Sequence, residues 1–308
     1  VTGLRIVFAG SPEAAVPSLR ALAVGGHHIV GVITRAPSAI GRKRVLTPTP
    51  VALAAAELGL PLVETNTLSG QVTKDILALE PDLGVIVAYG GLVREPLLSA
   101  PEHGWINLHF SVLPRWRGAA PVQRAIMAGD EITGASVFRL VEELDAGPVF
   151  GSFTQAIGRN ETAGHLLDSL ADGGAGLLVK VVDMIGEGSA RAHDQVGDVT
   201  LAPKLTLEDG RIDWARPAAA IDCGIRGVSP EPGAFTVVAD ERLKVLDARI
   251  AHECAPLPPG RMELAGAQVF VGTASAPIEL LEVQPAGRNR MAAPDWWRGR
   301  RAGEVTAG

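Results

Sequence analysis

The chain has 308 residues, 47% of them hydrophobic and 20% charged, which is enough for two globular domains with a core each. Its formal net charge of −6 excludes a general nucleic-acid coat, so any RNA contact must come from local basic clusters. The apolar runs are too short to cross a bilayer and no basic-then-apolar leader opens the chain, which points to a cytoplasmic protein.

Taken in chain order, Leu4 to Ala9 is apolar and β-branched, as a buried strand should be. Gly10-Ser11-Pro12 then turns into a helix from Glu13 to Val24, with Ser11 expected to cap it and Pro12 at its first position. His28 to Thr34 reads as a second strand. Arg35, Arg42, Lys43 and Arg44 follow with no acid between them. A helix is expected from Val51 to Leu58, a short strand from Pro61 to Glu64 and a helix from Leu68 to Leu79. Leu83 to Ala88 is continuously apolar, the mark of a strand covered on both faces of a parallel sheet. A strand from Trp105 to His109, a helix from Ala119 to Met127, strands at Ala135 to Val141 and Val149 to Ala156, and a helix from Thr162 to Ile185 complete an alternating pattern. Such alternation predicts a doubly wound α/β domain.

From Gly186 to Lys204 the pattern breaks into Gly, Asp and isolated polar residues, as in an exposed connection. After a helix at Pro217 to Arg226, short β-type runs at Ala234 to Ala239, Arg242 to Ile250, Ala267 to Thr273 and Ile278 to Val283 predict a small barrel-like domain. A second basic cluster comprises Arg288, Arg290, Arg298, Arg300 and Arg301, with Trp296 and Trp297 among them; the two indoles are expected in the core. Cys223 and Cys254 lie far apart with no C-x-x-C, as reduced, packed thiols would.

The first turn lacks the glycines that a dinucleotide pyrophosphate needs, and no phosphate-binding G-x-x-x-x-G-K-[ST] loop follows a strand. Neither a metal-ligand spacing nor a G-x-S-x-G elbow is present. The chemistry must therefore sit at strand ends by other means. On an extended strand Asn107 and His109 point to one face, and an amide beside an imidazole can stabilise an oxyanion and carry a proton. A carboxylate from Glu142-Glu143-Leu144-Asp145-Ala146-Gly147-Pro148 could fix the imidazole tautomer and its charged form. Alone, such a pair is more often structural, and an Asp before Gly-Pro is usually a turn residue.

The stretch Asn107-x-His109-x-Ser111-Val112-Leu113-Pro114-Arg115-Trp116-Arg117-Gly118-Ala119-Ala120-Pro121 closely resembles the signature of the methionyl-tRNA formyltransferase family. Phe8 to Glu13 looks like that family's opening turn, Ala88-Tyr89-Gly90 like its folate-loop strand end, and Leu144 to Pro148 like the aspartate turn of folate-dependent formyltransferases generally. Ala202 to Leu205, Glu208 to Trp214 and Ile225 to Phe235 resemble the start of its C-terminal domain. The resemblance implies a Rossmann-like parallel-sheet catalytic domain over 1–189, a linker over 190–204 and an OB-like tRNA-binding domain over 205–308. It implies 10-formyltetrahydrofolate as donor, initiator methionyl-tRNA as acceptor, no metal, no membrane association and a monomer. Catalysis would fall to Asn107, His109 and Asp145. Folate would lie along Ser111, Val112, Leu113 and Pro114 with its pterin near Tyr89 and Gly90, and tRNA would meet Arg42, Lys43 and Arg44. The sequence departs from the family at Ala36 to Gly41, at Gly91 and Arg94, and at Val112, where the family has leucine. Formyltransferases of sugar nucleotides or of glycinamide ribonucleotide, and an RNA-binding module with a decayed folate site, are the rival readings.

Overall fold

The computed structural model describes residues 3–40, 44–299 and 305–308, which fall into two compact units. The first comprises Val1–Pro121, Ile132–Ala156 and Leu167–Ala202; the second comprises Val122–Glu131, Ile157–Leu166 and Pro203–Gly308.

In the first unit the strands are β1 (Arg5–Gly10), β2 (His28–Thr34), β3 (Ser38–Ile40), β4 (Val45–Thr47), β5 (Leu62–Glu64), β6 (Leu83–Val87), β7 (Trp105–His109), β8 (Ile132–Arg139) and β9 (Val149–Ala156). Strands β3 and β4 form a separate hairpin, and the main sheet runs β5-β2-β1-β6-β7-β8-β9. The expected parallel sheet holds from β5 to β7, whereas β8 pairs antiparallel with β7, and β9 antiparallel with β8. A parallel return needs a crossover of a dozen or more residues, and only 140–148 separate β8 from β9. All five residues of β6 are buried. Gly84 is required there, because a Cβ would stand 2.0 Å from the ring of Trp105 on neighbouring β7.

The helices before the second sheet are α1 (Val16–Ala23), α2 (Pro50–Glu57) and α3 (Gln71–Leu77) of the first unit, α4 (Pro121–Ala128), which falls in the second unit but for Pro121, and α5 (Ala163–Gly186), which joins the first unit from Leu167 on. A 3₁₀ turn at Glu13–Ala15 precedes α1, and Ser11 does not cap it. The Ser11 hydroxyl instead donates to the Tyr89 carbonyl (3.4 Å) and accepts the Arg35 N–H (3.3 Å), because the ends of β1, β2 and β6 converge there. The cap that does form is Thr49, whose Oγ1 accepts from Ala52 N–H at 3.0 Å with Pro50 opening α2.

In the second unit α6 (Ala218–Gly227) precedes β10 (Phe235–Val238), β11 (Glu241–Ile250), β12 (Arg261–Ala265), β13 (Gln268–Val271), β14 (Ile278–Pro285), β15 (Met291–Ala292), α7 (Ala293–Arg298) and β16 (Val305–Thr306). The sheet path β10-β11-β14-β13-β12-β16 is antiparallel, with β15 beside β14. Val237 exchanges both backbone hydrogen bonds with Gly308, so the residue pair after β16 returns to β10 and the path closes. Trp214, Val245, Val269, Leu280 and Val283 fill the interior. Trp296 and Trp297, edge to face at 6.1 Å, pack against that core while staying only partly buried, so they flank the core rather than lie in it. Both cysteines are free. Among the described residues no helix is long and apolar enough to cross a membrane.

Candidate active site

Strand β7 delivers Asn107 and His109 to the C-terminal edge of the parallel strands, the edge where open α/β sheets bind ligands. Asn107 is half-buried, and its Oδ1 is buried with no hydrogen-bond partner among the described residues. His109 is only 6% exposed, with Phe138 of β8 edge-on to its ring. Its Nε2 lies 2.8 Å from the Trp116 carbonyl; a carbonyl only accepts, so Nε2 carries the proton in the neutral ring. The sequence suggests a carboxylate for fixing this tautomer, but a backbone oxygen does so. The free Nδ1 faces Asp145 Oδ2 at 3.8 Å. Burial holds the imidazole pKa below its usual value, against opposing pulls from Asp145 and the Trp116 carbonyl. His109 is therefore neutral at neutral pH.

Asp145 lies in the turn between β8 and β9 with φ of 47°, a left-handed conformation that Asp tolerates better than most residues. Its Oδ2 accepts the Gly118 N–H at 2.8 Å. Gly118 has φ of 126° and passes so close to the chain that a Cβ would meet the Ala202 carbonyl at 2.6 Å. Gly147 is equally constrained, its Cβ position lying 1.8 Å from the Arg139 carbonyl.

The segment over 190–202, expected as an exposed connection, is hydrogen-bonded along this turn. Gln195 Nε2 donates to the carbonyls of Asp145 and Gly147, both at 2.8 Å. Its Oε1 accepts from Nε and Nη2 of Arg117 at 3.1 and 2.8 Å, and Arg117 Nη1 reaches Glu143 at 3.3 Å. Thr200 Oγ1 accepts the Trp116 N–H at 2.9 Å. Gln195 and Thr200 carry no sequence signal, since nothing local places residue 195 beside residue 145.

In the loop after β7, the Ser111 hydroxyl turns inward and donates to the Arg115 carbonyl at 2.6 Å. Ser136 of β8 pins the loop: its hydroxyl donates to the Ser111 carbonyl (2.8 Å) and accepts the Leu113 N–H (3.2 Å). Leu113 and Pro114 are buried and Val112 is half-buried, so the loop presents backbone and Val112 rather than a serine hydroxyl.

At the end of β6, Ala88 and Gly90 have φ of 48° and 75° and set Tyr89 inward, its hydroxyl donating to the Thr65 carbonyl at 2.9 Å. Burial pushes the Tyr89 pKa up despite nearby Arg35, so the phenol stays protonated. Arg35 belongs to the first basic cluster in sequence, yet its guanidinium donates to the carbonyls of Tyr89 and Gly90. Arg44 is exposed ahead of β4, whereas Arg42 and Lys43 lie outside the described residues, as do Arg300 and Arg301. Of the late arginines, Arg290 pairs with Glu282 and Arg298 with Asp295. No group of three or more potential metal ligands occurs among the described residues.

Residues 4–182 match the family described as formyl transferase, and residues 204–301 match its C-terminal domain. A methionyl-tRNA formyltransferase of Clavibacter sepedonicus is 58% identical over 304 residues, which cover 99% of this chain and 100% of the relative. WlaRD, a sugar 3N-formyl transferase solved with dTDP and 5-N-formyl-THF, superposes with a TM-score of 0.66 at 15% identity, covering 93% of this chain and 99% of that one. HypX from Aquifex aeolicus, solved with tetrahydrofolic acid, gives 0.64 at 15% identity; the match covers 98% of this chain and 50% of HypX. At such identities the two structural likenesses bear on the fold alone.

Proposed function

The chain belongs to the formyl transferase family and passes a formyl group from a folate-derived donor to methionyl-tRNA, and from this premise we propose that the donor is 10-formyltetrahydrofolate and that Asn107, His109 and Asp145 carry out the transfer. The carrying observation is a neutral, buried imidazole whose free Nδ1 faces a carboxylate, next along the strand to an amide oxygen buried without a partner. A buried polar atom left unpaired destabilises by about 1–3 kcal/mol, which marks a position kept for something other than stability.

The unprotonated methionyl amine attacks the formyl carbon, and the carbonyl electron pair moves onto oxygen. The Asn107 amide donates its N–H to this oxyanion. His109 Nδ1 takes the amine proton, the imidazolium is stabilised by Asp145, and the proton passes to the folate nitrogen as the carbon–nitrogen bond breaks. With Nε2–H held by Trp116, His109 acts as proton carrier rather than as the second oxyanion donor that the sequence suggested. Backbone of Ser111, Val112, Leu113 and Pro114, with the Tyr89-Gly90 turn, would line the folate; Arg42, Lys43 and Arg44 would meet the initiator tRNA.

Asn107→Ala should lower kcat by about 10²–10³ with little change in folate binding or stability. Single-turnover assays on charged tRNA, with titration of 5-formyltetrahydrofolate as a non-transferring probe, measure both. Near-normal turnover would remove Asn107 from the reaction. Amino-sugar nucleotides and glycinamide ribonucleotide, offered as competing amines, should remain unformylated.

A further inference from the structure

We propose that Gln195 is a positioning residue for the formyl transfer, holding the Asp145 turn in the register that its carboxylate needs. The inference rests on the catalytic role of Asp145 proposed above. The side-chain amide makes four hydrogen bonds, two from Nε2 to the carbonyls of Asp145 and Gly147 and two to Oε1 from Arg117. Its orientation is unambiguous, because the flipped amide would set oxygen against two carbonyls and NH₂ against a guanidinium. The two carbonyls bracket Ala146, so Gln195 grips the turn on both sides of its tip. Asp145 is a non-glycine residue at positive φ, a conformation that persists only where surrounding contacts over-determine it. Among the described residues the carboxylate accepts one hydrogen bond, from Gly118 N–H, and stands 3.8 Å from His109 Nδ1, beyond hydrogen-bond reach. Small rotations of the turn therefore translate directly into the carboxylate–imidazole distance. Arg117 completes the device by fixing Gln195, and Glu143, two residues before Asp145, fixes Arg117.

Gln195→Ala should lower kcat by about 10–10², as loss of a supporting hydrogen bond commonly does, with KM for donor and acceptor within about twofold. Gln195→Glu keeps an acceptor for Arg117 but places a negative oxygen against both carbonyls, and should lose as much. The discriminating readout is a double-mutant cycle. In an Asp145→Asn background Gln195→Ala should have no further effect on kcat, whereas a merely structural role would multiply the two losses. Titration with 5-formyltetrahydrofolate reports that each variant is folded. A Gln195→Ala enzyme of normal kcat beside an inactive Asp145→Asn enzyme would overturn this proposal alone, as would multiplicative losses. An active Asp145→Asn enzyme would overturn the catalytic reading beneath it.

Discussion

His109 titrates below the ordinary histidine value of about 6.5 because burial penalises its cation more than Asp145 favours it. In the proposed transfer only the neutral ring can accept the amine proton. kcat/KM should therefore fall on the acid side with an inflection under pH 6.5, and Asp145→Asn, by removing the favourable charge, should shift that inflection lower. The substrate amine also loses its nucleophilic form in acid, but its limb would not move with Asp145, so pH–rate profiles of the two enzymes separate them. The same group affects stability with a definite sign. The unfolded chain binds the proton at higher pH than the folded one, so stability declines as pH falls through about 6.5 toward the folded pKa and is unaffected above it. At this scale the sequence revealed what is local. Asn107 and His109 alternate on one strand, and Asp145 precedes a Gly-Pro turn. Gln195 and the Trp116 carbonyl were invisible because their roles depend on chain returns and backbone atoms, which no residue type announces.

A strand buried throughout, such as β6, was legible in the pattern itself; the hydroxyl groups that lock loops onto the sheet were not. Ser136 pairs across from His109 on β8, and its hydroxyl holds two backbone groups of the loop proposed to line the folate. Ser136→Ala should leave the Leu113 N–H and Ser111 carbonyl without this partner and loosen the loop. The donor's dissociation constant should rise about tenfold, equivalent to about 1.4 kcal/mol, while kcat at saturating donor changes less. Fluorescence titration and thermal melts measure the two effects, and an unchanged donor affinity would detach the pin from binding. β12 escaped sequence reading because its inward residues, Met262 and Leu264, give only two beats of alternation between charged neighbours. Ser11 misled for a related reason: a Ser-Pro start suits a helix cap, yet the same hydroxyl is drawn to the Tyr89 carbonyl once the sheet assembles.

For the whole chain, division in sequence and division in space differ. Val122–Glu131 and Ile157–Leu166 cluster with Pro203–Gly308, as shown by Gly164 N–H on the Ser229 carbonyl and Arg226 on the Glu161 carbonyl. A chain cut at Pro203 would strip those segments of partners. The acidic net charge also makes a local prediction sharper. Replacing Arg42, Lys43 and Arg44 together with neutral residues should weaken methionyl-tRNA binding and leave folate binding unchanged. The log–log salt slope of tRNA binding should flatten by about 0.7–0.9 for each phosphate no longer neutralised. An unaltered slope would mark the three residues as a solvated loop. The closure of the second sheet by residues 305–308 bears on biosynthesis. As the polypeptide leaves the ribosome, β10 and β12 are made long before β16 and the Ala307-Gly308 pair that will cover them. Until Gly308 has emerged the nascent sheet keeps two bare edges, each a template for a neighbouring chain. The interval before residues 305–308 appear is when the nascent sheet is most open to pairing with another chain.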